Sequence, residues 1–113
     1  MTTLIRQLFI AEAAGDIKVT ISIEPSELED ADTWICGYAI TWPTGTKHGV
    51  ARGFDAIQAL YLAMQQIAVN LYASPYHVAG TLRWGKPGTG YGFPMPRPGI
   101  EDLIGEDRYN QVP

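Results

Sequence analysis

TWICGYAITW, residues 33–42, is the stretch on which the fold turns. Read with a period of two, one face carries Trp34, Cys36, Tyr38, Ile40 and Trp42. The other carries Ile35, Gly37, Ala39 and Thr41. Alternation over this length marks a strand, and a bulky apolar face backed by a small, still apolar one predicts a central strand covered on both sides. The expectation is a sheet built around it.

Upstream, DIKVTISIE (16–24) alternates more cleanly, with Ile17, Val19, Ile21 and Ile23 against Lys18, Thr20, Ser22 and Glu24. Residues 4–12, LIRQLFIAE, read as a first strand of imperfect alternation. Ala14-Gly15-Asp16 supplies the glycine and aspartate of a tight turn, so the two runs form a hairpin. Pro25 stops the second strand, and SELEDAD (26–32) reads as a solvated loop or short helical turn. Downstream, Pro43 and TGTKHG make a turn into a short fourth strand near residues 50–53.

A helix follows. Asp55 is its N-cap, Gln58 approximates a capping box, and AIQALYLAMQQIAVNLYA (56–73) is rich in good helix formers. Ile57, Leu60, Met64, Ile67 and Leu71 form one stripe at spacings of three and four, which must face the sheet. Ser74-Pro75 ends it. VAGTLRW (78–84) reads as an edge strand or an extended run, and IEDLIGED (100–107) as one or two helical turns with Ile100, Leu103 and Ile104 inward. The fold class is therefore α+β: an antiparallel sheet of about four strands, one long helix on a face and an extended Gly/Pro-rich C-terminal strap. Residues 1–113 make a single domain, with strands over 1–54, helix over 55–73 and the strap and turn over 76–113.

GTGYGFPMPRPG (88–99) admits two readings, a ligand-gripping loop or a strap. Lys86 is followed by Pro87 and no helix, which removes a phosphate loop. If the helix covers one sheet face, a glycine-rich segment can lie close on the other, with Tyr91 and Phe93 buried as anchors. The strap is the reading adopted.

The chain carries a formal charge of −4, unevenly spread. Carboxylates crowd residues 1–32 and the tail from 101. Lys47, Arg52, Arg83, Lys86 and Arg97 lie in a middle that also holds most of the aromatics. An overall pI near 4.9 argues that these charges compensate within the monomer, which makes nucleic acid an unfavoured partner. No apolar run is long enough for a membrane span, and the broken apolar N-terminus does not read as a signal peptide, so the expected location is cytoplasmic. The single cysteine, Cys36, excludes an internal disulfide.

Chemistry is sparse. Cys36, His48 and Asp55 make a triad only on paper, because Cys36 sits mid-strand between tryptophans and reads as a small hydrophobe. Two histidines and one cysteine at no ligand spacing give no metal site. No catalytic residue, metal or cofactor is expected.

Trp42-Pro43, GFDAIQAL (53–60), GTLRW (80–84), GYGFPMP (90–96) and EDLIGED (101–107) together resemble a family of small bacterial proteins known only as a domain of unknown function. The likeness covers roughly residues 34–107, departing mainly at Ile104, where the pattern has leucine. It implies a bacterial protein and carries over no catalytic residue.

Two functions remain open. The first is a non-enzymatic protein-binding or accessory protein, immunity-type or regulatory, whose acidic loop (Glu27, Glu29, Asp30, Asp32) meets a basic protein; a homodimer is compatible with it. The alternative binds a small anionic ligand or single-stranded nucleic acid through Arg83, Trp84, Lys86, Tyr91 and Arg97.

Overall fold

A computed structural model describes residues 2–96. Six strands and two helices follow in the order β1 (Leu4–Ile10), β2 (Ile17–Ile23), β3 (Glu27–Leu28), β4 (Trp34–Trp42), β5 (Gly45–Gly53), α1 (Ala56–Tyr72), α2 (Pro75–Val78) and β6 (Leu82–Arg83). All pairings are antiparallel in one sheet, where about four strands were expected.

The additional strands have local causes. β5 runs nine residues from Gly45, because Pro43-Thr44 alone turns the chain and brings Trp42 opposite Gly45. The expected four-residue strand was too short. β3 was read as loop or helical turn, but it continues β2 across a bulge. Ile23 lies opposite Tyr38, the Glu24 amide donates to Gly37 O at 2.9 Å, and Glu27 resumes pairing opposite Ile35. Pro25 and Ser26 therefore both oppose Cys36, a place where the missing proline N–H costs the ladder nothing.

α1 packs over β4 and β5. Asp55 caps it, accepting from the Gln58 amide at 2.7 Å, while Gln58 Oε1 accepts from the Phe54 amide at 2.7 Å. The expected stripe is displaced at its start. Ile67 and Leu71 are buried and Leu60 and Met64 half-buried, but Ile57 is 78% exposed, and Ala59, Ala63 and Ala68 take the innermost positions. The cause is close approach: a Cβ on Gly53 would stand 2.6 Å from Ala59 N, so only small residues fit beneath this end of the helix. Ser74 ends the segment in two ways. Its hydroxyl donates to Leu71 O at 2.8 Å and accepts from the His77 amide at 3.1 Å, starting α2.

The core lies on the helix side of the sheet. Leu8, Ile10, Val19, Ile21, Cys36 and Ile40 are essentially inaccessible there. The strap occupies the same side. Tyr91 is buried, its hydroxyl against His77 Nδ1 at 2.6 Å and its ring 5.2 Å from that of Tyr72. Arg6 of β1 holds the segment: Nη1 donates to Tyr91 O and Gly92 O, both at 3.0 Å. Its guanidinium lies 4.1 Å from the Trp84 ring and 4.7 Å from that of Phe93. Gly92 is required, since a side chain there would strike Trp84 and Arg6.

Thus the strap is real but not where it was expected. It completes the helix-side cover over β1 and β2, which α1 leaves bare, and Phe93 is only half-buried. The opposite face, expected to be covered, is open among the described residues. On it Ile5, Thr20, Ile35, Gly37, Ala39, His48 and Val50 are exposed or half-buried. Arg97 and the expected C-terminal helical turn lie outside the described residues.

Candidate functional site

The acidic segment is a built turn. The amides of Glu29 and Asp30 donate to Thr33 O at 2.8 and 3.3 Å, and Asp30 Oδ1 accepts from the Asp32 amide at 3.0 Å. Glu29 is engaged: its two carboxylate oxygens accept from Arg52 Nε and Nη2 at 3.0 and 3.2 Å, a bidentate pair that raises the Arg52 pKa by hydrogen bonding and by charge. Glu27 and Asp32 make no side-chain hydrogen bond or ion pair among the described residues.

Sequence reasoning missed what stands beside this turn. β3 lies against the start of β4, Leu28 opposite Trp34, and Trp34 lies opposite Gly53 at the end of β5. Ser26 Oγ donates to Ala56 O at 2.8 Å, joining the bulge to the first turn of α1. These pairings bring Leu28, Phe54 and Ile57 to one end of the molecule, where they are 55%, 84% and 78% exposed. The signal was present in the sequence. Phe54 falls between the end of a strand and the helix cap, where no face exists to bury it.

Of the five residues of the alternative, the four that are described do not converge. Arg83 pairs opposite Phe9 and so points to the open face, whereas Trp84 turns to the strap side and stacks on Arg6. Tyr91 is inside the core cluster, where burial pushes its phenol up, and Lys86 is on the exposed connecting turn. The paper triad also dissolves. Cys36 faces the core, its thiol pushed up by burial, His48 faces the open side opposite Ala39, and Asp55 caps α1. Among the described residues no group of three or more His, Cys, Asp and Glu side chains gathers for a metal ion, and no helix is long and apolar enough to cross a membrane.

A small antiparallel sheet, with one helix and a glycine-rich segment sharing a single face, defines the architecture. The chain belongs to the family described as a domain of unknown function, DUF6968, whose pattern matches residues 4–95. The match takes in the first hairpin as well as the strap, a longer reach at the N-terminus than the resemblance read from residue 34. No curated protein and no solved structure matches the chain.

Proposed function

We propose that this chain is a non-enzymatic binding domain that recognises another, basic protein through the end formed by β3, the acidic turn and the start of α1. The carrying observation is the exposure of Leu28, Phe54 and Ile57 together beside the acidic turn; Phe54 and Ile57 are, with Val78, the most exposed large apolar side chains among the described residues. Apolar residues gathered at an acidic rim are what a protein interface needs: an anchor to desolvate and charges to steer. A bacterial, cytoplasmic accessory role, immunity-type or regulatory, belongs to the same proposal. The lone, buried thiol of Cys36 is compatible with a reducing compartment.

The test is capture from a bacterial lysate at low and moderate salt. Wild type is compared with Phe54→Ser/Ile57→Ser and with charge reversal at Glu27, Glu29, Asp30 and Asp32. The reading predicts one captured protein of basic pI, lost with the apolar variant and made weaker and less salt-sensitive by the charge variant. Melting temperature should stay near wild type in the apolar variant and fall modestly in the charge variant, which loses the Glu29–Arg52 pair and the Asp30 turn contact. Identical capture by all three proteins overturns it.

A further inference from the structure

The glycines of the chain single out one place on the open face. Seven described glycines adopt positive φ, Gly49 lies under the Tyr38 ring, and Gly53 lies against Ala59 N. Gly37 has neither reason. Its backbone is ordinary strand, and a Cβ there would meet nothing nearer than Gly49 O at 3.9 Å, an unstrained contact. Gly37 stands beside the bulge at Pro25 and Ser26, and a strand glycine there leaves the sheet surface low enough for a group to approach it from outside.

Gly37 is the floor of a depression of 490 Å³ on that face. Val50 lies opposite Gly37, and Ile35 two residues away, so the floor is apolar. The bulge at Pro25 and Ser26 sets Glu24 and Glu27 along one side. Glu24 accepts from Thr3 Oγ1 at 2.9 Å on one oxygen, and among the described residues neither its other oxygen nor the Glu27 carboxylate has a partner. Arg52, the nearest cation by register, is held by Glu29. An apolar floor beside two available carboxylates fits a side chain with a methylene stem and a cationic head.

We propose that this hollow seats an arginine side chain of the protein partner, its stem over Gly37, Ile35 and Val50 and its guanidinium against Glu24 and Glu27. The proposal rests on the protein-binding reading and supplies the chemistry that its basic partner would present. Arginine is preferred to lysine because the planar fork engages carboxylates bidentately and is more weakly hydrated.

The test is an amide-resolved NMR titration of the intact chain with N-acetyl-arginine amide, using N-acetyl-norleucine amide as the uncharged probe of similar stem. The expected result is saturable shifts confined to residues 24–27, 35–37 and 50 with the arginine compound alone. Binding should weaken at least tenfold in Glu24→Gln/Glu27→Gln and vanish in Gly37→Val, whose added methyls fill the floor. Equal shifts with the norleucine compound, shifts scattered over the surface, or undiminished binding by both variants overturns the seat. If Gly37→Val unfolds, the double glutamine variant alone decides, because both its changes are exposed. Loss of lysate capture in the Phe54 variant without arginine shifts sinks the seat and leaves the protein-binding reading standing. Arginine shifts with capture indifferent to Phe54 do the reverse, and the cation then comes from a free ligand or a second copy.

Discussion

The two faces of this sheet are made by the same strands, yet they are finished in opposite ways. On the helix side the central rows are closely packed: Leu8 beside Val19, Ile21 beside Ile40, Cys36 beside Ala51, all within 1% of full burial. On the open side the rows run Ile5, Ser22, Ala39, His48 and Gln7, Thr20, Thr41, Thr46, mostly small or polar residues, all exposed or half-buried among the described residues. The difference teaches that α1 and the strap are not two covers for two faces. They divide one face, and among the described residues nothing covers the other.

Substitutions can break that comparison, the largest effects falling on the covered side. Tyr91→Ala should cost about 3–5 kcal/mol, since it empties a buried ring site and frees the strap. Ile40→Ala should cost about 2–5 kcal/mol. Phe93→Ala, at a half-buried ring, should cost less, about 1–2 kcal/mol by the area it covers. Ile5→Ala and Thr41→Ala on the open face should stay within about 0.5 kcal/mol. Urea denaturation of the five variants checks the ranking, and an open-face variant costing as much as Ile40→Ala breaks it.

Alkaline pH sharpens the contrast. Burial raises the phenols of Tyr38 and Tyr91, both on the covered side. A folded-state pKa raised above the unfolded value gives stability that is full below the ordinary tyrosine value of about 10 and is lost as pH rises through the folded value. Melting temperature should therefore fall above about pH 10. Tyr91→Phe should reduce that fall, and an unchanged alkaline profile in that variant would argue against a buried phenol.

Much of the covered side was legible in the sequence. The period-two runs, the Asp55 cap and the proline stops place β1, β2, β4 and α1 correctly, because local chemistry and tertiary packing agree there. The strap's face was not legible. It is decided by Arg6, and Arg6 is also the residue that spoils the alternation of β1, sitting on the apolar face between Leu4 and Leu8. The spoiled pattern was the signal of a clamp 85 residues from its partner. Ile57 was misplaced for a related reason: periodicity finds a stripe but not how closely two backbones approach, and here Gly53 and Ala59 set that distance. The candidate site was legible only in its charges. Its apolar part depends on β3, a two-residue strand whose pairing across a bulge no local pattern announces.

The claim that the open face is left vacant for a partner is tested most directly by the stability of Gly37→Ala. A glycine that serves the fold loses stability when replaced, whereas one that serves an incoming group gains it. Alanine inside a strand is favoured over glycine by about 0.5–1 kcal/mol. The account predicts a urea midpoint for Gly37→Ala equal to or above that of wild type, with an unchanged slope. A drop in stability of more than about 1 kcal/mol, on the scale of ordinary destabilising substitutions, would contradict it.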